Sequence, residues 1–252
     1  MTKTIVNEGG NIFKNTEGQP ATARINRVDV EPTVQWLEQI TGLELTDNKL
    51  GTTGLAPTSG DLDLAVDQTK INKEQLIAKL TGWLNSKNMN PADYIKKSGV
   101  SVHFKTPIQG NEKNGHVQTD FMFGDPDWMK FSLSGTVGSN FKGADRHVML
   151  ASIAKPQGLK WSFKSGLIDR KTEQVLSKDP DKIAELLLGK GATAKDLATV
   201  ETIHAKIKNR TDYEQLIQDA RDSFEKIGKT LPEHKIAGTP VWFRNLMDRL
   251  PE

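Results

Sequence analysis

The stretch that most constrains this chain is Asp61-Leu62-Asp63-Leu64-Ala65-Val66, an apolar run carrying two aspartates two places apart. Side chains alternate along a strand, so Asp61, Asp63 and Ala65 share one face and Leu62, Leu64 and Val66 the other. Aspartate is a poor strand former, and like charges on one face repel. A fold that keeps both buries the apolar face and uses the acidic face to hold a cation. A glycine–hydroxyl turn, Leu50-Gly51-Thr52-Thr53-Gly54, precedes it, followed by Thr58-Ser59-Gly60. A third carboxylate in a similar setting lies in His116-Val117-Gln118-Thr119-Asp120-Phe121-Met122-Phe123. There Val117, Thr119, Phe121 and Phe123 share one face, and Gln118, Asp120 and Met122 the other. Three strand-borne aspartates suit one or two hard, oxygen-loving ions such as Mg²⁺ or Mn²⁺.

The 252 residues suffice for one large domain, or for a catalytic domain with a smaller helical one. The absence of cysteine removes disulfides, thiolate zinc sites and cysteine nucleophiles together. No apolar run approaches the ~18 residues of a membrane span, and Met1-Thr2-Lys3-Thr4-Ile5 opens no signal-peptide core. The expectation is a protein away from membranes, in the cytoplasm (the host's, if a phage carries it). A net charge of +2 demands no nucleic acid. Charge is uneven, however: between Lys130 and Lys171 the basic residues far outnumber Asp145 and Asp169. Arg146 and Lys164 within that segment are candidates to touch a phosphate-bearing acceptor, although a solvated surface accounts for the same charges equally well.

Residues 1–29 read as an extended arm with at most one short strand. Glu31-Pro32 opens a helix with Val34, Leu37 and Ile40 on its apolar stripe, closed by Gly42. Leu43 to Leu50 leads into a first strand, and Asp61 to Val66 is the second. Asn72 with Gln75 forms a capping box for a helix burying Leu76, Ile77, Leu80 and Leu84, and Asn90-Pro91 starts a short helix. Val100–Lys105 and His116–Phe123 read as strands joined by a polar loop. A helix spans about Ala144 to Ala154, and Trp161 to Ile168 is a hairpin or extended segment. Further helices start at Asp179-Pro180, at Thr193 with Asp196, at Thr211 with Glu214, and at Thr239-Pro240. The fold class is α+β: a small mixed sheet flanked by helices over residues 30–157, then a helical region over 158–252.

The segment from Leu50 to Val66, with Asp120 on a later strand, resembles the polymerase-beta-type nucleotidyltransferase superfamily, in the manner of a bacterial or phage-borne member. Gly51-Thr52 stands where that family has Gly-Ser, and Thr58-Ser59-Gly60-Asp61-Leu62-Asp63-Leu64 resembles its Thr-Ser-Asp-Ile-Asp-Leu with Gly60 added. The spacing from glycine to aspartate is short for the family, and the arginine usual in that loop is absent. The resemblance covers roughly residues 30–125. It implies that Asp61, Asp63 and Asp120 are the catalytic and Mg²⁺-binding carboxylates. It implies also that Gly51, Thr52, Thr53 and Ser59 cradle the phosphates of an NTP, ATP by preference. The acceptor hydroxyl stays open among RNA, a protein and a small molecule.

Blander readings stand beside these. An isolated Asp-x-Asp is most often a solvated strand end, and Gly51 and Gly54 serve equally as turn residues. His103, His116, His147, His204 and His234 are scattered without zinc spacing. Two other functions compete: a catalytically silent member of the same fold acting as a binding or assembly module, and a metal-dependent nuclease or phosphatase. The intact carboxylate trio disfavours the first, and the hydroxyl-bearing glycine turn the second.

Overall fold

A computed structural model describes residues 12–134, 139–141, 143–219 and 222 of the chain. The protein is of the α+β class. It forms two compact units divided between Lys130 and Phe131. The helix at 143–154 thus groups with the later part of the chain, ahead of the expected division at 157/158. Its packing against the first strand of the second unit accounts for that.

The first unit contains β1 (Ile25–Asn26), α1 (Arg27–Thr41), β2 (Thr58–Ser59), β3 (Asp61–Asp67), α2 (Lys73–Ser86), α3 (Pro91–Tyr94), β4 (Ile95–Ser98), β5 (Ser101–Pro107) and β6 (His116–Gly124). α4 (Pro126–Ser132) crosses the division. The main sheet has the order β3-β6-β5-β4, with β3 and β6 parallel and the other pairs antiparallel. A parallel pair needs a long crossover. Here it includes α2, whose Leu76, Leu80 and Leu84 pack on the apolar face of the sheet with Val34 and Leu37 of α1. Leu62, Leu64, Val66, Val102, Phe104, Val117, Phe121 and Phe123 supply that face, all buried. Thr106 and Thr119 intrude on it, and their hydroxyls hydrogen-bond each other at 2.6 Å, so the pair is satisfied internally.

Two local expectations are corrected. α1 starts at Arg27 rather than Glu31, leaving Pro32 inside the helix. The bond that Pro32 cannot make belongs to the carbonyl of Val28, a residue 80% exposed, where water can substitute. Leu43–Leu50 does not become a strand. The Glu38 carboxylate accepts the N–H groups of Leu45 (2.6 Å) and Thr46 (2.7 Å), which turns the chain into a single 3₁₀ turn at Thr46–Asn48. Of the amino-terminal arm, the described part carries β1, which pairs with β2. Gly42 does end α1, in the left-handed conformation at φ 69°, and the Asn72–Gln75 capping box is present.

The second unit contains α5 (Gly143–Ala154), β7 (Leu159–Ser162), β8 (Gly166–Asp169), β9 (Val175–Ser177), α6 (Pro180–Leu188) and α7 (Val200–Ile207). The hairpin at Trp161–Ile168 gains a third antiparallel strand, so this region is not helical throughout. Thr193 caps only a 3₁₀ turn, and α7 starts afresh at the Thr199 cap, because Thr199 Oγ1 takes the Thr202 N–H at 3.1 Å. The helix from Thr211 is described only as far as Asp219, and the one at Thr239-Pro240 lies outside the described residues.

Arg146 overturns its sequence reading. It is 1% exposed, donates from Nε to the Leu197 carbonyl at 2.6 Å and from Nη1 to the Ser132 carbonyl at 3.1 Å, and so ties α5 to the end of α4 and to the 3₁₀ turn at Ala194–Leu197. Burial lowers its pKa to about 10. It is a structural cation of the second unit, out of reach of any acceptor. Arg146→Ala should destabilise the protein by about 3 kcal/mol or more in urea unfolding, because it orphans buried carbonyls. Arg146→Lys should recover only part of that, since one ammonium lacks the guanidinium fork. A loss under ~0.5 kcal/mol for the alanine variant would refute this role.

A candidate metal centre on the acidic face of the sheet

The register of the sheet brings the three aspartates together. Asp63 lies directly beside Asp120 across the β3–β6 pair, and Asp61 lies one row away, beside Gln118. All three point to the face opposite the apolar core, as the strand alternation requires. One carboxylate oxygen from each lies within 4.8 Å of the others. Two oxygens binding one ion at ~2.0–2.6 Å each are separated by up to about 5 Å, so the spacing fits a shared cation. An all-carboxylate donor set is hard, which favours Mg²⁺, Mn²⁺ or Ca²⁺ over metals that seek nitrogen or sulfur.

The electrostatics agree with that fit. Two charges 4.8 Å apart repel by about 3–4 kcal/mol at an effective dielectric of ~20. Burial first, and then the charges of Asp61 and Asp120, push Asp63 up to about 8. Asp61 is raised as well, by burial and by Asp120, with Arg24 opposing the shift. Without a cation the cluster therefore keeps a proton near neutral pH.

Asp120 is held from the neighbouring strand. His103, its partner in the β5–β6 register, places Nδ1 at 2.7 Å from Asp120 Oδ1 and Nε2 at 2.8 Å from the Ser98 hydroxyl. Gln118 Nε2 donates to the same Oδ1 at 3.0 Å, while its own Oε1 accepts the Ile12 N–H at 3.0 Å. Both groups converge on one oxygen, which fixes the carboxylate and leaves Oδ2 outside these hydrogen bonds. This arrangement is how carboxylate ligands are commonly oriented by an outer layer of hydrogen bonds.

The glycine turn is fastened to the same strand. Leu50 N–H donates to the Asp63 carbonyl at 2.8 Å, and Asp63 N–H donates to Thr53 Oγ1 at 3.1 Å. Gly51 and Gly54 both adopt positive φ, 59° and 75°, which side chains disfavour. Thr53 is buried, and its hydroxyl is a strut for Asp63, whereas the resemblance implied a role in holding phosphate. Thr52 is exposed on the turn. Ser59 is buried, and its hydroxyl has no hydrogen-bond partner among the described residues. Arg24, absent from the sequence expectations, donates from Nε to Thr58 Oγ1 at 3.0 Å and from Nη2 to the Thr58 carbonyl at 2.9 Å. It brings positive charge to Asp61 from the amino-terminal arm, where the β2 loop itself supplies none. Lys164 lies half-buried in the turn between β7 and β8 of the second unit. Among the described residues no helix is long and apolar enough to cross a membrane.

His103 and Gln118 were reachable from sequence only in part. Alternation puts Gln118 on the face of Asp120, but nothing short of the β5–β6 register shows that His103 meets it. The raised Asp63 sets a pH dependence. Between the unfolded value near 4 and the folded value near 8 the native state binds more protons, so stability falls as pH rises. The metal-free protein should melt at progressively lower temperature from pH 5 to pH 9. Asp63→Asn should flatten that slope and raise the melting temperature at pH 8, and millimolar Mg²⁺ or Mn²⁺ should do the same for the unaltered protein. An unchanged slope in Asp63→Asn would contradict the shift.

Compared with known proteins, the chain matches no family model and no curated relative, so the functional reading stands on the geometry of this site.

Proposed function

We propose that this protein is a divalent-metal-dependent nucleotidyltransferase of the polymerase-beta type, moving a nucleoside monophosphate from an NTP to an acceptor hydroxyl. The observation that carries the reading is the convergence of Asp61, Asp63 and Asp120 on one sheet face beside a glycine turn fastened to Asp63. In the transfer, a bond forms between the acceptor oxygen and the α-phosphorus. The bond from that phosphorus to the β-phosphate bridging oxygen breaks, pyrophosphate leaves, and the hydroxyl proton is released.

Asp61 and Asp63 would hold the ion nearer the triphosphate, and Asp120 would complete a site for a second. When bound, such ions neutralise the phosphates and acidify the attacking hydroxyl. The protein contributes position and charge. His103 and Gln118 keep Asp120 Oδ1 occupied, so Oδ2 is the atom able to meet the acceptor hydroxyl. The turn at Gly51–Gly54, exposed at Thr52, offers close backbone approach and the Thr52 hydroxyl to phosphate oxygens. Arg24 supplies a guanidinium at the Asp61 edge, suited to oxygens of the leaving group.

Incubation with each α-labelled NTP, Mg²⁺ and a cell extract should transfer label to an acceptor. Asp61→Asn or Asp63→Asn should lower that transfer by at least ~100-fold without unfolding the protein. Binding to the native state alone raises thermal stability, so Mg²⁺-NTP should raise the melting temperature of the unaltered protein but not of Asp63→Asn. A full response in Asp63→Asn would count against the assignment.

A further inference from the structure

The rows that carry the aspartates continue to the far edge of the sheet, and there the sign of the charge reverses. By register, Asp63, Asp120, His103 and Lys96 form one row, and Asp61, Gln118 and Lys105 form the next. Directly paired residues share a face. Lys96 therefore stands on the acidic face two strands from Asp120, about 10 Å away at ~4.8 Å per strand. A groove of about 460 Å³ lies at this edge, bordered by Phe13, Lys14, Asp93, Tyr94, Lys96 and Lys105.

The ammonium groups are held in an uncommon way. Lys96 donates to the Ile12 carbonyl at 2.6 Å and sits 5.3 Å from the centre of the Phe13 ring. Lys105 sits 4.0 Å from the centre of the Tyr94 ring. Among the described residues, none of Lys14, Lys96 and Lys105 joins an ion pair. The nearby acids are engaged elsewhere: Asp93 accepts from the Asn90 amide, and Glu112 accepts from the Tyr94 hydroxyl and meets His116. Ring faces and a carbonyl orient these cations without neutralising them, so their charge remains for an external anion.

We propose that this groove receives the acceptor, and that the acceptor is a single-stranded nucleic acid. This rests on the nucleotidyltransferase reading above. The backbone phosphates lie on Lys14, Lys96 and Lys105, and the terminal hydroxyl follows the row toward Asp120. A lane of cations interleaved with aromatic rings is the way single strands are bound without sequence preference. It also solves an electrostatic problem, since a polyanion would otherwise be repelled by the three carboxylates it must approach. A neutral or cationic small-molecule acceptor would need no such lane.

The test is fluorescence anisotropy on the full chain with a labelled eight-nucleotide single-stranded RNA, the DNA of the same sequence, and a glutamate peptide of equal charge. The unaltered protein should bind the nucleic acids, and the peptide at least ~10-fold more weakly. Lys96→Glu with Lys105→Glu should weaken RNA binding at least ~10-fold and lower the slope of log K against log salt by about 1.4, at ~0.7 for each phosphate that is no longer neutralised. The neutral pair Lys96→Gln with Lys105→Gln, gentler on folding, should weaken it at least ~3-fold. Lys97→Glu, on the same strand but the opposite face, should change it less than twofold. RNA binding that is absent, unaffected by both double variants, or matched by the peptide overturns the proposal. If RNA binding fails while Mg²⁺-NTP still raises the melting temperature, the groove alone is refuted. If Mg²⁺-NTP gives no shift, the transfer reading fails and the acceptor role with it.

Discussion

The parallel pairing of β3 with β6 is the constraint on which the rest depends. It sets Asp63 beside Asp120 and commits the fold to a crossover through α2, whose leucines bury the other side of the same strands. The apolar face drives the pairing, because burial of Leu62, Leu64, Phe121 and Phe123 offsets the repulsion among three carboxylates. A one-residue slip in register would send the acids into the core and the leucines to the surface, so the core and the acidic face specify each other.

Around the acids, polar groups are arranged by orientation rather than by neutralisation. His103 and Gln118 hold one oxygen of Asp120, Thr53 holds the backbone of Asp63, and Arg24 only moderates Asp61. Burial first, and then the charges of Asp61 and Asp120, keep Asp63 protonated near neutrality without an ion. Such an arrangement stores a preference for a cation, and it weakens the metal-free fold as pH rises.

The cations show how poorly a charge count locates function. The sequence concentrates lysine and arginine between Lys130 and Lys171, yet Arg146 there is buried structural material. The lysines that continue the acidic rows, Lys96 and Lys105, lie outside that segment. Their alignment with the acids arises from β4, β5 and β6 lying side by side, which brings residues distant in sequence into two rows.

Alternation within Asp61–Val66 and His116–Phe123 was enough to determine that Asp61, Asp63 and Asp120 stand on faces opposite apolar residues. The caps at Asn72, Asn90, Asp179 and Gly42 marked helix ends correctly, because each depends on a hydrogen bond or a backbone angle within a few residues. What lay beyond reach involved partners far apart in the chain. The failure of a strand at 43–50 required the Glu38 carboxylate, the third strand of the second unit required β8, and the burial of Arg146 required the Leu197 carbonyl. His103 beside Asp120, Arg24 beside Asp61 and Lys96 in line with Asp120 and Asp63 belong to the same group. Local sequence fixes which way a side chain points along its own strand, but strand order and register decide what it meets, and only the packed tertiary structure supplies those.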